Sequence, residues 1–356
     1  MRRALLLLFA SLPLFAQLPE GVSRVTFRND FYAWNLVVTA GDTLWVTPFI
    51  NRAMARVDVH GVARDVDLPA GRNAGGFGAG PDGALWFGSN GFIARVDPLT
   101  NVIESWPLGA GHTPYHILAG PDGNLWFVET QGRVVCMRPD GEILRTYEAG
   151  GFANGAGFGS DGALHLAMAT KVVRITIDGE RSEHPTTAIE AGFTGFAGSD
   201  FFWHGGRALN EPERAPNGAI MKTSFTGETL ATYSIAMTPL AADERGNLWL
   251  RALTDEGVVL GKLSPTGVLT RFGPLPPLPA TACHQWWYAG MDFLSDGRVA
   301  MADHYADIPR TGTNPCLGAR RPADLNNTIT IVDPRLLPVL SVEVLNRTPR
   351  RRGARQ

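Results

Sequence analysis

The chain predicts an all-β fold, a seven-bladed β-propeller of four-stranded antiparallel blades, on three observations. A turn signal followed by an apolar strand recurs seven times, most clearly in Gly80-Pro81-Asp82-Gly83-Ala84-Leu85-Trp86-Phe87 and Gly120-Pro121-Asp122-Gly123-Asn124-Leu125-Trp126-Phe127. Aligning on the strand after each turn gives Trp45, Trp86, Trp126, His165, Trp203, Trp249 and Ala300, with successive differences of 41, 40, 39, 38, 46 and 51 residues. A period near forty built of strands and turns is the mark of a propeller. No stretch carries the i, i+3, i+4 apolar stripe of a helix.

Taken in order, residues 1–16 read as an export signal. Arg2 and Arg3 precede the apolar residues 4–9 and 12–15, and Ala16 offers a small residue before a cut ahead of Gln17. The stretch is too short, and too interrupted by Pro13, to span a bilayer well. The expectation is a chain that is periplasmic or secreted, with no membrane span once the signal is removed. Residues 17–345 then form a single propeller, and 346–356 a basic tail with Arg347, Arg350, Arg351, Arg352 and Arg355. Each repeat runs from an apolar strand through a Gly turn to a second strand, a loop, a third strand and a further turn. Examples of the third strand are Ile93-Ala94-Arg95-Val96 and Val134-Val135-Cys136-Met137. Asp82, Asp122, Asp161 and Asp296 sit in turns, where carboxylates bond nearby backbone. The recurring rings are expected to pack blade against blade. Two segments, 22–28 and 339–344, compete to complete the last blade, and the residues do not choose between them.

Composition bounds the function. With 44 % apolar and 19 % charged residues, the 356-residue chain buries a large core. Lys+Arg 32 against Asp+Glu 34 leaves a net charge of −2 and no basic excess for nucleic acid. A monomer is expected. Of three cysteines, Cys136 lies in a strand pattern as a buried thiol, and Cys283 and Cys316 lie in two loop-like stretches that an oxidising compartment would let pair. No Cys-x-x-Cys pair suggests a thiolate zinc site.

Propellers build sites where inner-strand ends and loops gather at a channel mouth. Two repeat positions are expected there. One, ten residues before the strand ring, holds Asn35, Gly76, His116, Gly155, Phe193, Pro239 and Gly290. The other, three residues after it, holds Pro48, Ser89, Glu129, Met168, Gly206, Ala252 and Asp303. His116, Glu129, Asp303 and the adjacent His304 stand out as ionisable groups suited to acid–base work or to a hard divalent cation, and equally to ordering loops. The last repeat is enlarged by residues 272–288, which end in Trp286, Trp287 and Tyr288, and by 305–326, two long loops that would form a lid or aromatic wall. The fifth carries an insertion at 205–217. The three rings would stack a flat or sugar-like ligand or anchor their loop.

The string Pro114-Tyr115-His116-Ile117, leading through Gly120-Pro121-Asp122-Gly123 to Trp126-Phe127-Val128-Glu129, resembles the repeat of the virginiamycin B lyase (streptogramin lyase) propellers. Their blades start Pro-Tyr-Gly-Ile and carry a Trp-Phe-Thr-Glu strand. The resemblance runs from about Asn35 to Asp333 and is strongest in the second and third repeats. It implies a ring that opens a cyclic depsipeptide by elimination, without adding water, with Mg²⁺ held by glutamates and a histidine as base. On this chain it implies Glu129 and Asp303 as cation ligands, His116 and His304 as catalytic groups, and Tyr115 and Asn35 beside the ligand. Ala252 stands where the sixth blade would carry a glutamate. Two functions are therefore carried forward. One is a metal-assisted lyase or lactone-opening hydrolase; the other is a non-catalytic ring binding a carbohydrate, a peptide or an envelope protein.

Overall fold

The computed structural model describes residues 18–27, 33–48, 53–58, 60–68, 75–186, 194–196, 200–205, 219–254, 257–275, 284–307 and 328–345, with backbone alone at 34, 48, 53, 253, 284–289 and 304–307. Strand β1 (Val22–Thr26) precedes a meander of β2 (Ala33–Thr39), β3 (Thr43–Pro48), β4 (Ala53–Val57) and β5 (Ala63–Asp67). Next come β6 (Phe77–Ala79), β7 (Leu85–Ser89), β8 (Phe92–Val96) and β9 (Ile103–Pro107), then β10 (Pro114–Ala119), β11 (Leu125–Glu129), β12 (Arg133–Met137) and β13 (Ile143–Glu148). They are followed by β14 (Gly155–Phe158), β15 (Leu164–Met168), β16 (Lys171–Ile175) and β17 (Arg181–Pro185), and by β18 (Thr194–Phe196), β19 (Phe201–Gly205), β20 (Ala219–Ser224) and β21 (Thr229–Ser234). The chain continues with β22 (Thr238–Ala242), β23 (Leu248–Thr254), β24 (Gly257–Leu263) and β25 (Val268–Leu275). Last are β26 (His284–Phe293), β27 (Val299–Asp307), β28 (Thr328–Val332) and β29 (Val339–Val344).

Each meander pairs antiparallel in chain order, as short strands joined by tight Gly turns must. The meanders β6–β9 and β10–β13 are linked into one eight-stranded sheet by a single parallel pairing, His116 opposite Phe77. The innermost strands touch in the order β2, β6, β10, β14, β18, β22, β26, and β26 returns to β2. The architecture is an all-β propeller, which removes exposed sheet faces by stacking each blade on the next.

The aligned strand residues all fall on the second strand of their sheets, and they pack forward as expected. Trp45 joins Leu85 and Phe87 of the following sheet, Trp86 joins Leu125 and Phe127, Trp126 joins Leu164 and Leu166, and Trp249 joins Val299 and Met301. The turn aspartates do more than brace their own backbone. Each indole nitrogen needs an acceptor once buried, and Asp82 and Asp122 supply one to Trp86 and Trp126 at 3.0 Å. His165, in the fourth copy, keeps the same bond to Asp161 at 3.0 Å. Burial would raise the Asp161 carboxyl, but His165 and Arg174 outweigh it and hold it down at about 2. Ala300 has no such donor, and Asp296 turns to Arg298 instead.

The competition to complete the last blade resolves in favour of the N-terminal segment. β1 pairs antiparallel with β28, from Val22 opposite Val332 to Thr26 opposite Thr328. Val22 is buried among Val258, Leu260, Val299 and Val332, and Val25 packs on the opposite side against the cluster of Leu36 and Ile329. A two-sided apolar strand suits a place between two sheets. β29 instead adds a fifth, outer strand to β25, with Val339, Val342 and Val344 exposed and Arg271 bonded to Ser341 and Glu343. Cys136 is a free, buried thiol as expected, and burial pushes it up to about 12. Cys283, Cys316, residues 1–16, the insertion at 206–217 and the tail 346–356 lie outside the described residues. Among the described residues no helix is long and apolar enough to cross a membrane.

Candidate functional site at the mouth where the inner strands begin

β10 opens with a register irregularity between Pro114 and His116, and such a bulge re-aims the side chains around it. Tyr115 is left exposed (45 %) and lies 5.5 Å, ring to ring, from Phe152, itself 46 % exposed, in the loop ahead of β14. His116 sits edge-on under Tyr115 at 4.8 Å and points its Nε2 at the Ala153 carbonyl, 3.0 Å away. The carbonyl only accepts, so Nε2 carries the hydrogen. Burial lowers the His116 pKa, and the bond to Ala153 opposes this only partly, so the ring is neutral at pH 7. Tyr115, His116 and Phe152 form an aromatic shelf across the seam between the third and fourth meanders. Asn35 holds the corresponding place on β2, exposed, and its carbonyl accepts from Thr47 Oγ1 at 3.4 Å.

The two strand-end carboxylates lie at the same end of their sheets, since Glu129 pairs with Pro114 and Asp303 with Tyr288. Neither is open to the mouth. Glu129 is 1 % exposed and lies on the strand face of Leu125 and Phe127, toward the second meander. Its Oε1 accepts from Arg133 Nη1 at 3.0 Å, and its Oε2 lies 2.7 Å from His112 Nδ1. Asp303 is fully buried on the face of Val299 and Met301, which meets the β22–β25 sheet. It accepts from Thr328 at 2.6 Å and from Thr330 at 2.9 and 3.0 Å. Burial pushes its carboxyl up to about 7, against those hydroxyls and the positive charge of Arg24.

This arrangement does not fit a hard divalent cation. Mg²⁺ or Ca²⁺ needs several oxygens free to turn toward it. Here both Glu129 oxygens are taken by cationic or N–H groups, and both Asp303 oxygens accept from threonine hydroxyls in another seam. Among the described residues no three His, Cys, Asp or Glu side chains gather as ligands.

The expected loop carrying Trp286, Trp287 and Tyr288 is instead strand. β26 and β27 form a long hairpin in which Trp286 faces Tyr305, Trp287 faces His304 and Tyr288 faces Asp303. Consecutive aromatic residues favour a strand, and here they continue the ladder started by Met291 and Met301 beyond a register irregularity between Tyr288 and Met291. Residues 276–283 and 308–327 lie outside the described residues.

Reading along the repeat missed His112, Arg133 and Phe152. His112 and Phe152 fall in Gly-rich connections outside the aligned positions. The signal for Arg133 was its place four residues after Glu129, across a tight turn. Also unanticipated is a cleft of about 1000 Å³ at the opposite end, where the inner strands finish, lined by Val38, Phe196, Glu244, Trp249, Asp292 and Phe293 among others. There Asp292 accepts from the Val38 amide at 2.7 Å, tying β26 to β2, and burial raises its carboxyl to about 6.

A sequence profile described as the virginiamycin B lyase family matches residues 25–279. The fold is similar to a streptogramin B lyase structure at TM-score 0.62 and 17 % identity, over 89 % of this chain and 97 % of that one. It is similar to a catalytically inactive variant of virginiamycin B lyase from Staphylococcus aureus with quinupristin at TM-score 0.61 and 19 % identity, over 87 % and 98 %. It is also similar to the WD40 repeats of RRP9 at TM-score 0.57 and 12 % identity, over 91 % and 99 %. No curated protein sequence matches it significantly. At these identities the structural likenesses carry the fold alone.

Proposed function

The chain belongs to the virginiamycin B lyase family, and from that premise we propose that it is an exported, seven-bladed propeller that opens a lactone- or ester-bearing ligand at the mouth where its inner strands begin. The seven-blade count is supported by the circuit of inner strands from β2 to β26, with the eight-stranded sheet counted as two meanders. Export is supported by Arg2 and Arg3 ahead of the apolar stretch ending at Ala16. The observation that carries the ligand reading is the aromatic shelf. Tyr115 and Phe152 leave two large rings exposed side by side over a neutral imidazole. Exposed aromatic area at a concave end, with polar groups close by, is the usual make-up of a ligand surface.

Chemistry at this shelf needs a base and a polarising group. His116 retains a lone pair on Nδ1, and His304 stands by backbone position opposite Trp287. In the family a Mg²⁺ ion would polarise the ester carbonyl; with Glu129 and Asp303 engaged as they are, no step is assigned to one here. A second reading, a ring that binds without turnover, is supported by the same engagement of Glu129 and by the WD40 likeness.

The test is incubation of the full chain with a streptogramin B depsipeptide and a panel of simple lactones, followed by mass spectrometry and calorimetry. Elimination gives a linear product of unchanged mass, whereas hydrolysis adds the mass of one water. Tyr115→Ala is expected to weaken binding about tenfold, the loss of one ring contact. Binding without product favours the second reading. Neither binding nor product across the panel would sink both.

A further inference from the structure

Glu129 occupies the strand-end place that the family resemblance gives to a cation ligand, yet its carboxylate is spent elsewhere. We propose that Glu129 instead orients His112, and that His112 is the proton-accepting group at this mouth. This rests on the ligand reading above and names a catalytic residue for it.

The tautomer follows from the bonding. A carboxylate only accepts, so the 2.7 Å contact between Glu129 Oε2 and His112 Nδ1 puts the hydrogen on Nδ1. Arg133 Nη1 approaches the same Nδ1 at 3.1 Å, but both are donors. The guanidinium bond that counts is the one to Glu129 Oε1 at 3.0 Å. Across the ring, Nε2 is left with its lone pair, and no described group bonds to it. The His112 side chain is 38 % exposed, while Glu129 behind it is shut off from water. A buried carboxylate holding one nitrogen of a part-exposed imidazole, so that the other keeps its lone pair, is the orienting half of a catalytic triad.

The bland alternative is that His112 merely pins its loop. The loop is already pinned without the imidazole. Gly91 donates to the His112 carbonyl at 2.7 Å, Asn90 Oδ1 accepts from Gly111 at 3.0 Å, and Gln131 Nε2 donates to the Gly111 carbonyl at 2.7 Å. Gly111 adopts φ +88°, which an L side chain rarely does, so the segment Gly109-Ala110-Gly111 is built to deliver the next residue at a set angle. The loop is strapped to turns of the second and third meanders on both sides. Such support is what a preorganised base requires and what a structural histidine does not need.

Tyr115 follows His112 by three residues at the same end of the same sheet. For a ligand whose acidic C–H lies next to the carbon bearing an ester oxygen, the step balances. Nε2 takes the proton and the C–H electron pair becomes the C=C bond. The C–O bond breaks, its pair leaves on the carboxylate, and the imidazolium then gives the proton to water.

The test does not wait for a substrate. Long-range ¹H–¹⁵N spectra of the full chain with labelled histidine should show His112 as the Nδ1–H tautomer. Diethyl pyrocarbonate should modify His112 at Nε2 at least about tenfold faster than His116 or His165, whose rings are both largely buried. Glu129→Gln should slow that modification several-fold; if this variant does not fold, the wild-type spectra decide alone. An Nε2–H tautomer, or modification no faster than that of the other two rings, overturns the proposal. If a lactone proves to be a substrate, His112→Gln should lower kcat by about 100-fold or more with KM little changed. A variant that keeps its rate within twofold rejects the dyad and leaves the family reading standing. Absence of any substrate rejects that reading while the tautomer still reports on the dyad.

Discussion

Glu129 and Asp303 occupy the same position of the repeat, three residues after the aligned strand residue, and the protein treats them in opposite ways. The third sheet surrounds its carboxylate with an arginine and a histidine, both reaching the surface. The last sheet surrounds its carboxyl with two threonine hydroxyls and seals it, so that burial drives it up to about 7. A repeat position therefore fixes where a side chain lies on the strand and leaves its chemistry to the neighbours. One site is wired outward to solvent through His112; the other is an internal polar joint where β27, β28 and β1 meet.

The largest effect that would break this contrast comes from Arg133. Arg133→Leu leaves Glu129 buried with one of its two partners gone, and should cost about 3 kcal/mol in urea unfolding. A loss below about 1 kcal/mol would mean that Glu129 is neutral or reached by water, and the outward wiring would be wrong.

Asp303 should show the opposite signature, in pH rather than in charge. Its folded value lies above the unfolded value near 3.9, so the native state keeps a proton the unfolded chain has lost. Stability from this group is therefore greatest below about pH 4, declines as pH rises to about 7, and is flat beyond. The swing is of the order of 2–4 kcal/mol. Asp303→Asn, unfolded in urea across pH 4.5 to 7.5, should lack that slope; an unchanged slope would show that the carboxyl is ionised throughout.

A smaller effect sharpens the comparison at the turns of the same two sheets. Asp122 accepts from the Trp126 indole, from Asn124 and from the Cys136 thiol, whereas Asp296 faces no ring. Asp122→Ala should cost about 1–2 kcal/mol and Asp296→Ala about half that or less. Equal losses would mean that the indole bond adds nothing.

Much of this is legible in the residues alone. The Gly-Pro-Asp-Gly turns at 80–83 and 120–123, with Trp86 and Trp126 four residues beyond their aspartates, locate the second strands of the second and third repeats, because a tight turn needs positive φ and a buried indole needs an acceptor near by. Glu129 and Asp303 were legible as strand-end groups, but whether they faced the mouth or a seam was not. His112 was invisible to the repeat because it sits in a Gly-rich connection outside the two repeat positions that were compared. Likewise, two short apolar segments competed for the last blade, and only packing on both faces of β1 separated it from β29.

What the residues determine alone is local and periodic: short strands, their turns, the forward-facing rings and the family to which they belong. What tertiary structure decides is company. Closing the sheets brings Arg133 and His112 to Glu129 from either side of a turn and a loop, and brings Thr328 and Thr330 to Asp303 across some 25 residues of chain. The physical reason is that a carboxylate's chemistry is set within a few ångströms by the charges and donors that solvate it, and in a repeat fold those groups come from neighbouring strands and loops that the period does not specify.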